Sequence, residues 1–549
     1  MQKTDLKKYS WLMAPLLFLL FSAPVALDYV FHFPDEKYYT DAVLHMMDKD
    51  DCFTPYQADG TPRFKKPILT YWVLMGSYKL MGVGVLSSRL FFWLAGALLV
   101  AVTFFMAKSL TGNRKIATIA AFITAANPLV IMSSSRSIPD ILLVLFLTIS
   151  AWGFLEIMLA EKPARKYFWY AYLGAALAFE TKGLPAAAFA GTSMLFLVLN
   201  PWKRKKIKQI LEPVSVITAI IVALSWFLIM YVQHGADYLA SFYTDQVGGR
   251  VSSKMEQVVM NLFLGIVNLI AFLIPWIFIA LSRPRKLKVW LKSADTSTKA
   301  ISGFVILWIA LIIVMSGAVF KFYDRYLLPV IPLVSLFFAF IFVSTESKGK
   351  KLSLQIFLWL NVAVLAINIW YAVFILTDWV LLFGIAVGFT FLAVWFSGAT
   401  KKLHIEIALA NSIMLLFFSV FILLYPLLMP NSGEQLVQNL KQAGADKTDK
   451  IYVYGNIRTA SNIRIHSQHN LNVVSMDTIY TLPENPNHFL VFDKKEQHLL
   501  NLSEYIIVNG SEEWKRLPVK KFPGFMQEPV LHIKESGTTY FIAKPIRNR

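Results

Sequence analysis

Apolar positions along this chain fall into runs of about 20 residues, separated by short charged stretches. A helix rises about 1.5 Å per residue, so such a run reaches across about 30 Å of hydrocarbon. In that medium a helix pairs its backbone groups internally. By this length criterion about 13 spans are expected. They lie near 11–31, 85–108, 115–134, 139–160, 166–180, 184–200, 213–233, 258–282, 300–319, 325–343, 355–376, 379–397 and 404–429. The stretch 68–85 is also apolar, but Lys79 and its glycines interrupt it, and it reads as an amphipathic helix at the interface.

Past Tyr425 the pattern changes. Short apolar runs at Ile451–Tyr454, Leu471–Val474, Phe489–Phe492, Tyr505–Val508, Val530–Ile533 and Tyr540–Ala543 read as strands, and Gly433–Ala443 reads as a helix. The expected organisation is a transmembrane domain over 1–429, with a long first external loop at 32–84, and a soluble α/β domain over 430–549. The fold class is a polytopic α-helical membrane protein with a C-terminal soluble α/β domain.

Composition agrees with that division. Hydrophobic residues make up 56% of the chain and charged residues 16%, against about a quarter in a soluble domain. The formal charge of +19 would suggest nucleic acid on a soluble protein. Here the positive charge collects in alternate loops: Lys162, Arg165 and Lys166; Lys203 to Lys206; Arg283 to Lys288; Lys348 to Lys351. Loops of that kind face the cytoplasm. Nucleic acid is therefore not an expected partner. The N-terminus is cytoplasmic, and an odd number of spans puts the C-terminal domain on the periplasmic side of a bacterial inner membrane. The first run follows Lys3, Lys7 and Lys8 and continues past the small residues Ala23 and Ala26, which favours an uncut anchor over a cleaved signal. With one cysteine, Cys52, no intrachain disulfide can form.

Candidate chemistry gathers at the external ends of the spans, where charge among apolar neighbours is costly and often functional. Asp35 and Glu36 follow the first span. Lys66-Pro67 and Tyr71-Trp72 lie later in the same loop. Arg136 and Asp140 precede the fourth span, and Glu180-Thr181-Lys182-Gly183 precedes the sixth. Asp245 and Arg250 lie in the second long loop, and Lys321, Asp324, Arg325 and Tyr326 open the tenth span. Carboxylates can take a proton from a hydroxyl, and cations can hold a phosphate. Asp41, His45 and Asp48 are spaced as metal ligands on a helix could be, but a solvated helix face explains them more simply. No metal site or cofactor is predicted, though a divalent ion stays open. A nucleotide-type glycine-rich loop is missing, which argues against nucleotide-sugar or ATP-dependent chemistry.

These residues resemble a family. Pro34-Asp35-Glu36, Lys66-Pro67 with Tyr71-Trp72, Asp140 and Thr181-Lys182-Gly183 look like the aminoarabinose lipid A transferases. Those belong with the protein O-mannosyltransferases among the GT-C membrane glycosyltransferases. The resemblance implies transfer of a sugar, with inversion, from a polyprenyl-phosphate donor to an envelope acceptor, a lipid A-like glycolipid before a protein. It implies roles for Asp35 and Asp140 in catalysis or acceptor positioning, and donor-phosphate contacts from Lys66, Lys182 and Arg250; Glu36 joins the catalytic candidates as the neighbour of Asp35, and Tyr71, Arg136, Lys321 and Arg325 join the substrate contacts as side chains at the same external ends. Where the aminoarabinose enzymes carry an arginine two places after the acidic pair, this chain has Tyr38, preceded by Lys37. The alternatives are a protein O-mannosyltransferase and a transporter or flippase of lipid-linked substrates. A transporter would be expected to show repeated halves, which the sequence lacks.

Overall fold

The computed structural model describes residues 10–27, 34–245, 255–282, 284–345, 348–375, 405–424, 432–455, 457–476, 487–513, 528, 531 and 537–546. Among these, eight helices are long and apolar enough to cross a membrane, or nine if the bent pair Arg114–Ala125 and Pro128–Ser134 counts as one span. The shorter apolar helices Trp11–Leu27 and Leu184–Leu199 match two further expected spans. The expected span 379–397 lies outside the described residues, as do Arg250 and most of Val530–Ile533. The protein is a multi-pass membrane protein; a count of 13 is not established by these helices.

The exposed surface of the spans is itself apolar. Along helix Pro213–Tyr243, Ile217, Ile221, Leu224 and Leu228 follow one another at steps of four, three and four, and all are exposed, Ile221 at 63%. A helix in water would carry polar residues on that stripe; one facing lipid carries these. The opposite side buries Ser215, Ala219, Trp226 and Met230.

Two helical stretches change direction, each at a residue that explains the bend. The run 115–134 bends by 62° at Asn127-Pro128. Proline cannot continue the hydrogen-bond ladder but suits the first turn of a new helix, and the Asn127 side chain caps that turn by accepting from Leu129 N–H at 3.0 Å. Helix Pro213–Tyr243 changes direction at Gly235, whose φ of 65° favours glycine. The expected span had ended just before it, at 233.

The described chain forms two compact units. The first comprises Met1–Val25, Phe64–Thr70 and Phe92–Phe418, and the second Ala26–Arg63, Tyr71–Phe91 and Ser419–Arg549. This grouping cuts across the division at 430 expected from sequence, because most of the first external loop packs with the C-terminal region.

The second unit holds a five-stranded mixed sheet in the order β2-β1-β3-β5-β4, formed by Lys450–Tyr454 (β1), Asn472–Met476 (β2), His488–Asp493 (β3), Tyr505–Glu513 (β4) and Thr538–Pro545 (β5). β1 pairs in parallel with β2 and β3, and β5 runs antiparallel to β3 and β4. Helix Ile457–His466 makes the crossover that a parallel β1–β2 pair requires. With helix Ser432–Gln442 it covers one sheet face, burying Leu436, Leu440 and Ile463 against Ile451, Val453 and Val491.

Candidate active site

In the first unit, helices Asp140–Leu159 and Arg165–Lys182 pack antiparallel at very short range. The contact is made by glycines. A Cβ on Gly153 would lie 2.3 Å from Ala171 N and 2.5 Å from the Tyr167 oxygen, and one on Gly174 would lie 2.9 Å from Ser150 N. Ser150 Oγ also donates to the Ala171 carbonyl at 2.7 Å. Small residues of this kind let membrane helices approach closely. The packing puts the first residue of one helix, Asp140, beside the last residue of the other, Lys182. Each charge sits at the helix end whose dipole favours it. Gly183, at φ 77°, then turns the chain into helix Leu184–Leu199.

Lys182 Nζ donates to Asp140 Oδ1 at 2.5 Å, and Arg325 Nε lies 3.6 Å from Asp140 Oδ2. Arg325 comes from the short 3₁₀ helix Asp324–Val330, which leads into helix Ile331–Ser344. The cations are held over aromatic rings as well. Lys182 Nζ is 5.1 Å from the centre of the Tyr326 ring, and the Arg325 guanidinium is 4.6 Å from that of Tyr323. Contacts of this kind fix the orientation of a cation without neutralising it.

These groups line a cavity of about 1060 Å³ together with Lys66, Asp245 and Lys321. Four cations, Lys66, Lys182, Lys321 and Arg325, thus face two carboxylates, Asp140 and Asp245. Lys66 is only 8% exposed, and its neighbour Lys65 reaches Asp245 at 3.7 Å. The segment carrying them is pinned by Phe64, whose ring meets those of His234 at 5.0 Å and Tyr238 at 5.3 Å, on either side of the Gly235 bend. The rest of the wall is apolar, with Leu143, Val144, Leu184, Ile312 and Met315 among its residues. The site is therefore cationic where its charged side chains gather and oily elsewhere.

Of the residues singled out by sequence, Lys66, Asp140, Lys182, Lys321 and Arg325 line this one cavity. Arg136 belongs to the same unit, on the turn before Asp140, but is not part of the lining. Tyr323 and Asp245 do line it and were not among the residues assigned a role from sequence. Tyr323 gave no signal because an aromatic at a helix entrance is commonplace. Asp245 was visible only as one charge in a long loop.

Asp35, Glu36 and Tyr71 belong to the second unit. Asp35 sits half-buried on the first turn of helix Pro34–Asp48. Two of these side chains are buried. Glu36 is 0% exposed, and its two oxygens accept from Arg89 Nε at 3.0 Å and Nη2 at 2.9 Å. A carboxylate buried and gripped on both oxygens anchors its helix. Tyr71 is likewise fully buried; its hydroxyl accepts from Arg63 Nε at 3.2 Å and its ring lies 5.1 Å from that of Tyr39. Its place is behind Arg63, which also lies 4.8 Å from the Tyr38 ring centre.

The expectation of a solvated face for Asp41, His45 and Asp48 fails at Asp41. That side chain is buried, bound by Arg464 Nη1 and by Ser461 Oγ at 2.8 Å. Asp48 meets His469 Nε2 at 3.0 Å. His45 Nε2 lies 3.3 Å from the Ala58 carbonyl.

Comparison with known proteins agrees with this architecture. The dolichyl-phosphate-mannose-protein mannosyltransferase family matches residues 65–231. An uncharacterised protein of Aquifex aeolicus is 26% identical over 364 residues, covering 64% of this chain and 70% of that protein. The undecaprenyl phosphate-alpha-4-amino-4-deoxy-L-arabinose arabinosyl transferase of Pectobacterium atrosepticum is 27% identical over 247 residues. That match covers 44% of this chain and 43% of the transferase, less than half of its length. The crystal structure of ArnT from Cupriavidus metallidurans bound to undecaprenyl phosphate superimposes with a TM-score of 0.70 at 14% identity, over 92% of this chain and 97% of that one. The fold is thus shared with that solved ArnT, and the sequence is similar to the arabinosyl transferases over part of their length.

Proposed function

We propose that this protein transfers a sugar from a polyprenyl-phosphate donor to a lipid A-like glycolipid on the external face of the bacterial inner membrane. The observation that carries the reading is the cationic cluster Lys66, Lys182, Lys321 and Arg325 in an otherwise apolar cavity of about 1060 Å³. A phosphate attached to a long hydrocarbon needs both surfaces at once. The names of the arabinosyl transferase relatives, and the undecaprenyl phosphate bound in the Cupriavidus structure, support that class of donor.

The chemistry follows from the charges. As the bond between the anomeric carbon and the phosphate oxygen breaks, negative charge builds on the departing phosphate. Cations fixed beside it stabilise that charge more in the transition state than in the ground state. Asp140 serves this by orienting Lys182 and Arg325; gripped by two cations, it is better placed to hold them than to take a proton. The proton, where the acceptor is a hydroxyl, is assigned to Asp35. Its position directly after the first span and its resemblance to the family's acidic pair support that role. A positioned base of this kind typically contributes about 10²–10⁴-fold.

The test is mass spectrometry of lipid A from cells with and without the protein, alongside Lys66→Ala and Asp35→Asn. The expected result is a sugar-sized mass addition present with the parent chain and lost in both variants at equal protein level. An unchanged lipid A profile, with the added mass on protein instead, would replace the glycolipid acceptor by a protein one. Movement of the lipid-linked sugar across the bilayer with no covalent transfer would end the reading altogether.

A further inference from the structure

We infer that Arg464, in the C-terminal domain, is a positioning residue for the first-loop helix Pro34–Asp48, and that it sets the rotation of that helix and so the direction of Asp35. The inference rests on the role proposed for Asp35. The sequence gives the C-terminal domain no task; these contacts assign it one.

Among the contacts that hold this helix, two grip a buried carboxylate through both of its oxygens. Near its start, Glu36 is bound through both oxygens by Arg89. Five residues on, Asp41 is bound through both oxygens too, one by Arg464 Nη1 and the other by Ser461 Oγ at 2.8 Å. The Arg464 and Asp41 side chains are 6% and 2% exposed. Arg464 is itself held, because its Nη2 donates to the β2 carbonyl of Val473 at 2.8 Å. Helix Ile457–His466, which carries Arg464 and Ser461, is thereby tied to the sheet edge and to helix Pro34–Asp48 together.

Five residues correspond to about 140° around a helix, so the two anchors lie on different faces. Anchors on different faces, with Tyr39, Val43 and Leu44 buried as well, oppose roll of the helix about its axis. A helix with its side chains has a radius of about 5–6 Å, so a roll of about 10° moves a side-chain tip by about 1 Å. A misplacement of about 1 Å at a reacting group can cost about 10²-fold in rate. Asp35 stands next to the Glu36 anchor, so its direction follows the rotation of the helix. Arg464 supports that rotational setting from a second face.

The experiment uses the full chain in nanodiscs, with undecaprenyl-phosphate-4-amino-4-deoxy-L-arabinose as donor and lipid A as acceptor, over the series Ser461→Ala, Asp41→Asn, Arg464→Lys and Arg464→Met. The expected result is a graded fall in kcat per folded molecule, small for Ser461→Ala and reaching about 10–100-fold for Arg464→Met. Donor KM stays constant throughout, and Arg464→Lys recovers part of the loss. If Arg464→Met does not fold, Asp41→Asn and Ser461→Ala decide the matter. Unchanged kcat in those two, with Asp35→Asn inactive, overturns the inference and leaves the catalytic reading standing. Full activity in Asp35→Asn overturns the catalytic reading itself, whatever the series does.

Discussion

Arg89→Met should be among the most damaging single substitutions outside the cavity. It deletes the two guanidinium hydrogen bonds to Glu36, a carboxylate with no exposed surface, and leaves the charge buried without that cation. Breaking a buried ion pair from one side typically costs about 3–5 kcal/mol, because the remaining ion loses its counter-charge out of reach of water. At about 4 kcal/mol the folding equilibrium shifts by roughly 10³-fold. For a unit of 150–250 residues each kcal/mol moves the unfolding midpoint by about 2–4 °C, so a fall of about 8–16 °C is expected. Replacing both partners with apolar groups, Glu36→Met with Arg89→Met, removes the stranded charge. Such replacements are often neutral or stabilising. The double variant should therefore melt well above Arg89→Met, and it should still turn over donor, since Glu36 is assigned an anchoring role. Thermal melts of the purified proteins, paired with sugar-transfer rates at a permissive temperature, give both readouts. A midpoint for Arg89→Met within 2 °C of the parent (order of the assay's usual scatter, about one-half kcal/mol) would refute the argument from burial. A folded but inactive double variant would return Glu36 to the chemistry.

Three other outcomes are expected. Gly153→Ala puts a methyl into the Ala171 and Tyr167 backbone, so the two helices must separate; a stability loss of about 1–3 kcal/mol and a drop in kcat as Lys182 leaves Asp140 should appear together in melts and transfer assays. Lys321→Glu reverses a cation in the cavity lining and should raise donor KM at least about tenfold, more at low than at high salt, in a titration against donor in nanodiscs. Burial, then the Arg464 charge, hold the His45 imidazole below its ordinary 6.5, outweighing Ala58, Asp41 and Asp48. The folded state thus favours neutral His45, while the unfolded chain takes up a proton as pH drops past about 6.5. The stability linked to this group is complete above that pH and is lost progressively below it, down to the folded value; melts of parent and His45→Gln between pH 8 and 5 should diverge on the acid side only.

Most of the helical framework was legible because a hydrocarbon solvent makes a simple demand, length plus apolarity, that a local stretch either meets or fails. The bend at Pro128 was legible too, in a residue that a length criterion alone passes over, while Gly235 lies just beyond the expected end of its span at 233. Lys66, Asp140, Lys182, Lys321 and Arg325 could be chosen because each is a charge at the end of an apolar run. What a linear reading could not supply was pairing. Asp41 and Arg464 are 423 positions apart, and neither carries a local mark of its partner. Glu36 and Asp35 look alike as neighbours, yet a turn of about 100° between them sends one into an ion pair and leaves the other half-exposed. Tyr71 was chosen for its chemistry, while its burial depended on the fold of a loop that has no periodic pattern.

The tie between helix Pro34–Asp48 and helix Ile457–His466 also limits how this protein can be recombined. A chimaera cut at the natural-looking boundary near 430 would import a foreign C-terminal domain without the Arg464 and His469 to which Asp41 and Asp48 are fitted. Grafts that exchange residues 34–63 along with that domain preserve both halves of the joint. Divergent evolution faces the same constraint: the two segments must change as a matched set, although most of the polypeptide lies between them.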